Sequence, residues 1–224
     1  MKKLGPILAG ASVCFALEVV LAAPAGAQQA PKALLPRMVV PDASLARRGD
    51  GLRRKFAFFT TARDAAAGTA NPNDTAADVR RLGRIAGYFR GRNAVGAFSL
   101  RAPRGLLGAG TSVILWRDAR SAAASIRRDI ADQKRLRGKR IEGGRLVNSS
   151  TTKVPSLGSG AILSHTHLRP TGGTDRFSTD VRFRVGSLRG NATVVRSDRR
   201  KTDTLTLRLA AQLRRRMLAA LRRR

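Results

Sequence analysis

The chain has 224 residues, 44 of them Lys or Arg against 14 Asp or Glu, for a formal net charge of +30 with 42% hydrophobic residues. That apolar fraction excludes a disordered polycation, and the charge makes polyanions the natural neighbours of its surface. A single cysteine, Cys14, leaves nothing from which to build a disulfide or a thiolate metal site.

The N-terminus reads as an export signal. Lys2 and Lys3 form a short positive start, and residues 7–23 are mostly small and apolar. Ala25 and Ala27 then fill the two small positions of an A-x-A cleavage site before Gln28. The apolar run is interrupted by Glu18 and falls short of the about 20 residues that a membrane span needs. An uncleaved anchor is the alternative. The residues before Cys14, Ala11-Ser12-Val13, place a β-branched Val where a lipoprotein signal carries a small residue, so lipid attachment is the weaker reading. Loss of Lys2, Lys3 and Glu18 takes the charge from +30 to +29 (two cations and one anion fewer). The expected organisation is a signal peptide over 1–27, an Ala/Pro-rich tether over 28–41 and a single domain over 42–224.

Leu45 and Leu52 fit a short helix, Phe56–Thr61 is strand-like, and residues 65–73 read as a loop. Asp74 and Thr75 are N-cap candidates for a helix carrying Asp78 in its first turn. Gly83, Gly87 and Gly91 then allow two continuations: one long glycine-studded helix, or a helix stopped at Gly83 and followed by a strand over 84–90. An interior helix glycine costs about 0.5–1 kcal/mol relative to Ala, which favours the second. Residues 111–116 read as a buried strand. Asp118 caps a helix with Ala119, Ala122, Ala123, Ile126 and Ile130 on one face and Gly138 at its end. Residues 161–168 form a strand, joined by Pro170-Thr-Gly-Gly173 to the clearest one, Arg176–Val185. There Phe177, Thr179, Val181, Phe183 and Val185 alternate with Arg176, Ser178, Asp180, Arg182 and Arg184, the pattern of a strand buried on one side. A turn at 186–190 leads to a strand over 191–196. A final helix opened by Thr202 or Asp203 sets Leu205, Leu209, Leu213 and Met217 on one side.

Consecutive strands on short connections imply an α+β class: an antiparallel sheet with helices packed on one face. The strand-then-helix order occurs twice, over 111–137 and 161–222, and hints at a duplicated unit.

No motif points to catalysis. His165 and His167 share a strand face, but with no third histidine and no mature cysteine they are a poor metal site. Ser159, His165 and Asp180 supply the residue types of a hydrolase triad, yet Leu157-Gly-Ser-Gly160 lacks the G-x-S-x-G elbow. Aromatic residues make up 4% and no nucleic-acid motif is present, so the basic clusters predict non-specific adhesion rather than specific nucleic-acid recognition. The leucine stripe and arginine face of the last helix suit either docking on the core or an anionic lipid surface. The abundance of Arg, Ala and Gly is also what a GC-rich genome produces, which leaves two origins for the basic surface.

Several segments carry a resemblance: Asn73–Val79 with Gly83–Tyr88, Ser112–Asp118 ahead of an Ala-rich helix, Val154–Gly160, and Val181–Gly186. They resemble uncharacterised secreted actinobacterial proteins, similar to extracellular sensor-like and lipoprotein modules with a Mog1/PsbP-like fold. The resemblance implies an α+β sandwich with a binding or sensing role, and offers no catalytic residue, cofactor or metal. The resulting expectation is a non-enzymatic, secreted, surface-retained module attracted to anionic envelope polymers through Arg182, Arg184, Arg214, Arg215 and Arg216. Peripheral membrane binding and non-specific nucleic-acid binding are the alternatives, with a hydrolase or metal enzyme a remote third.

Overall fold

The computed structural model describes residues 32–46, 49–67, 75–97, 99, 102–141 and 144–222, so the expected signal peptide lies outside it. In chain order the elements are α1 (Leu35–Met38), α2 (Asp42–Leu45), β1 (Arg54–Thr60), α3 (Ala62–Ala67), α4 (Ala76–Arg81), β2 (Arg84–Asn93) and β3 (Leu106–Trp116). They continue with α5 (Ala119–Leu136), β4 (Arg140–Ile141), β5 (Gly144–Lys153), β6 (Ile162–Pro170), β7 (Arg176–Val185), β8 (Leu188–Arg196) and α6 (Asp203–Arg222). The eight strands form one sheet in the order β1-β2-β3-β8-β7-β6-β5-β4, antiparallel throughout, which is the expected α+β class.

Local chemistry sets the boundaries. Thr75 and Asp78 form a capping box on α4, each side chain accepting from the other's backbone N–H at 3.2 and 3.0 Å. Gly83 then adopts φ +94°, a left-handed conformation that stops the helix and turns the chain into β2, so the helix-then-strand reading is the one realised. Asp118 accepts from the Ser121 N–H at 2.6 Å to start α5, and Gly138 at φ +76° follows its end.

Helices cover both faces of the sheet, not one. Val113, Val181 and Phe183 belong to the main core with Leu209, Leu213 and Met217 of α6. Ile114 and Trp116, next along β3, pack instead with Ala122 of α5. Because adjacent strand residues point to opposite faces, α6 and α5 lie on opposite sides. The fully buried ring of Phe183 lies over Gly190, where an added Cβ would come within 2.5 Å of it.

The expected tether is corrected over its described part. Leu35, Met38, Val39 and Val40 are all 0% exposed, and the Val40 N–H donates to Thr111 Oγ1 at 3.1 Å. This segment packs between α6 and the β2–β3 part of the sheet. Its Ala/Pro-rich composition conceals an apolar run that belongs to the core. Two further elements depart from expectation: α3 occupies the start of the expected loop, and β5 is a strand that the Asn148–Thr152 polar run gave no hydrophobic signal for.

Candidate functional site

The face of the sheet beneath α5 is the arginine face of β7. Sequence alternation alone assigns it to solvent, but α5 covers it. Arg189 of β8 is 7% exposed and donates from Nη1 to Ser125 Oγ at 3.2 Å, from Nε to Asn191 Oδ1 at 3.1 Å, and from Nη2 to Asp129. Arg182 of β7, 13% exposed, places Nε 3.4 Å from the same Asp129 oxygen and donates to Ser164 Oγ at 3.1 Å. With the Gln133 amide oxygen turned toward it, Arg182 also donates from both Nη atoms at 3.1 Å. Burial opposes the ionised form of Asp129, but the Arg189 and Arg182 guanidiniums outweigh it and hold the carboxyl below its ordinary range.

Beside this triad, between α5, α4 and the sheet, lies an open cavity of about 350 Å³. Its apolar wall comes from Val79, Leu82, Ile114 and Trp116. Its polar lining carries four guanidiniums, Arg84, Arg182 and Arg189 from the sheet and Arg128 from α5, against two carboxylates of α5, Asp129 and Asp132. Asp132 is also engaged by Arg135 at 3.0 Å on the outer side of α5. Arg84, opposite Trp116 in the β2–β3 register, donates from Nη2 to Thr60 Oγ1 at 2.6 Å. Burial, then the nearby charge of Arg189, pushes its pKa down to about 10, leaving it charged at neutral pH. The volume is within the range of small-molecule sites, and the excess positive charge suits an anionic occupant.

The five arginines expected to attract polyanions are not brought together. Arg182 is inside the cavity and Arg184, half-buried, lies on the same sheet face opposite Arg189. Arg214, Arg215 and Arg216 are on α6, across the sheet. Arg215 is exposed, whereas Arg216 donates to the Arg37 carbonyl at 2.6 Å. The centre of the α6 leucine stripe is docked on the core, with Leu209, Leu213 and Met217 at 0% exposure. Among the described residues no helix is long and apolar enough to cross a membrane.

The two histidines each have their own carboxylate: His165 Nε2 is 2.7 Å from Asp203 and His167 Nε2 is 2.7 Å from Asp175. Among the described residues no three His, Cys, Asp or Glu gather into a metal-binding group. A recess of about 150 Å³ beside them is lined also by Arg199, Arg200 and Lys201. Asp180 lies on the opposite sheet face from His165, bonded to Ser178 and Thr193 at 2.6 Å each, so the Ser159-His165-Asp180 combination is not assembled.

Arg84, Trp116, Asp129 and Arg189 were not legible as a site. The one available signal was Asp129, an acidic residue three positions after Ile126 on a helix whose buried residues are Ser121, Ala122, Ser125, Ile126 and Leu136.

No family model and no curated protein sequence matches the chain. Among solved structures, the extracellular domain of PknH from Mycobacterium tuberculosis is similar with a TM-score of 0.55 at 11% identity, over 86% of this chain and 98% of that one. At that identity the likeness is one of fold, and the chain shares its architecture with an extracellular domain.

Proposed function

We propose that this protein is an extracytoplasmic, non-enzymatic binding module of the cell envelope, sensor-like in role, whose ligand site is the cavity between α5, α4 and the sheet. The observation that carries this reading is the cavity itself: about 350 Å³, apolar in part and with four guanidiniums against two carboxylates in its polar lining. A fold shared with an extracellular domain and the signal-like residues 1–27 support the location. Several of the polar groups are tied into pairs that hold α5 on the sheet, as the bonds of Arg189 to Ser125 (3.2 Å) and to Asp129 illustrate. Such groups are suited to orienting a ligand rather than to attacking one.

The test is hydrogen exchange on the protein incubated with fractions of envelope extract. A ligand in the cavity slows exchange in α4 and α5, and Val79→Trp, which fills the cavity wall, removes that protection. If no fraction protects those helices, the cavity is not a ligand site.

A second element of the proposal concerns retention. A net charge of +30 supports attraction to anionic envelope polymers, with the exposed Arg215 as a contact and the cavity arginines reserved for the ligand.

A further inference from the structure

We propose that the cavity binds an amphiphilic oxyanion, with a carboxylate or phosphate head held between Arg84 and the Trp116 indole N–H and an apolar body along Val79, Leu82 and Ile114. This deepens the ligand-site reading above and rests on it.

The head position follows from which donors are already used. Arg189 spends its three nitrogens on Asn191, Ser125 and Asp129, and Arg182 is engaged by Asp129, Ser164 and Gln133. Arg84 differs: its Nη2 meets only the Thr60 hydroxyl, and its buried Nε has no hydrogen-bond acceptor. The buried Trp116 Nε1–H likewise has none. These two orphaned donors belong to residues directly paired across β2 and β3, and both residues line the cavity. Buried donors without acceptors are costly, and a buried indole N–H ordinarily finds a partner. Neither nitrogen is open to solvent in the unliganded protein, so the oxyanion reaches them with a shift of the Arg84 side chain and then supplies acceptors to both.

Charge points the same way. Arg84, Arg128, Arg182 and Arg189 face two carboxylates in the cavity, Asp129 and Asp132, four positive charges against two negative. Arg84 gains a coulombic contribution from Asp64, but its charged form is disfavoured by burial and by Arg189. A bound anion would provide the missing counter-charge, and a guanidinium fork matches both carboxylate and phosphate oxygens. The apolar part of the lining, Val79, Leu82, Ile114 and the indole ring, offers an oxyanion's alkyl or aryl body an apolar surface.

Trp116 is the only tryptophan in the chain, so its fluorescence and its indole N–H resonance report on this site alone. The probes are octanoate, octyl phosphate, octanol and inorganic phosphate. Octanoate and octyl phosphate should change the emission saturably and move the indole N–H resonance downfield as it gains an acceptor. The tighter of the two anions identifies the head as carboxylate or phosphate. Octanol should bind at least tenfold more weakly and leave the N–H resonance in place, and inorganic phosphate should also be at least tenfold weaker. Arg84→Met should weaken the two amphiphilic anions at least tenfold, Arg84→Lys only severalfold, and Val79→Phe, which narrows the cavity without adding a second indole, should abolish saturable binding. The N–H measurement on the unaltered protein stands even if a variant fails to fold. Octanol binding as tightly as octanoate, or an indole N–H that does not respond to either amphiphilic anion, overturns the oxyanion while leaving a ligand cavity. Binding by none of the amphiphiles, octanol included, overturns the oxyanion, and the ligand-site reading then stands or falls separately on the exchange experiment.

Discussion

Arg189 on β8 and Asp129 on α5 form an ion pair that fastens the helix to the sheet, and Arg182 on β7 reaches the same carboxylate oxygen at 3.4 Å. One carboxylate therefore joins α5 to both strands of the β7–β8 hairpin, 53 residues further on at Arg182. Asp129→Asn leaves two mostly buried guanidiniums without their counter-charge and is expected to lower unfolding free energy by about 2 kcal/mol. Arg189→Met removes the cation as well as its bonds to Ser125 and Asn191, and is expected to cost at least as much. Urea unfolding of both single variants and the double variant checks the pairing: the double should cost about 1 kcal/mol less than the sum. Strict additivity would show that the two residues stabilise the fold independently.

Acid should loosen the same region. Asp129 is held below its ordinary range by Arg189 and Arg182 against the effect of burial, and Asp198 is lowered to about 2, chiefly by its bonds from Arg196 at 2.5 and 2.8 Å. A carboxyl with a folded-state pKa below its unfolded value of about 3.9 contributes stability that is complete above that value and is lost as pH falls through the folded one. Unfolding free energy measured from pH 6 to pH 2 is therefore expected to fall below about pH 4. Asp129→Asn and Asp198→Asn should each flatten part of that decline, and a wild-type slope retained in full by the double variant would contradict the assignment.

The segment over Leu35–Val40 makes a prediction about domain limits. Leu35→Ala removes a fully buried side chain and is expected to cost about 3 kcal/mol. A chain beginning at residue 42 loses all four buried apolar side chains and the Val40 hydrogen bond, and should melt far below one beginning at residue 32. Equal melting temperatures for the two truncations would mean that the segment is a tether after all.

What the sequence disclosed follows from which signals are local. The capping residues Thr75, Asp78 and Asp118, the stop at Gly83 and the alternation of 176–185 depend on near neighbours, and they place α4, α5, β2 and β7 correctly. What stayed hidden depends on partners far along the chain. Alternation in β7 separates an apolar from a charged face but does not say that a helix will cover the charged one. That requires Asp129, 53 positions before Arg182, to supply the neutralising group. Likewise β5 is polar because its neighbour β6 and the α5 backbone satisfy it, as in the Ser149 hydroxyl donating to the Gln133 backbone carbonyl at 3.2 Å. The cavity was illegible for the same reason, since Arg84 and Trp116 meet only once β2 and β3 pair.

Placement of the arginines separates envelope retention from ligand binding. Arg215 is exposed on α6, while Arg182 is enclosed beneath α5 on the other side of the sheet and is already paired. Electrostatic retention on an anionic polymer depends on charges that solvent and polymer can reach, and it is screened once the Debye length falls to about 3 Å at about 1 M salt. The protein bound to isolated cell walls should therefore elute by about 1 M salt. Arg214→Gln combined with Arg215→Gln should lower the eluting salt concentration with little change in melting temperature. Arg182→Gln should do the reverse, lowering the melting temperature through the loss of its Asp129 contact while shifting elution little. Retention that persists undiminished at 1 M salt would assign the attachment to something other than charge, and an Arg182→Gln variant that elutes early while melting normally would place that residue on the polymer-facing surface rather than in the cavity.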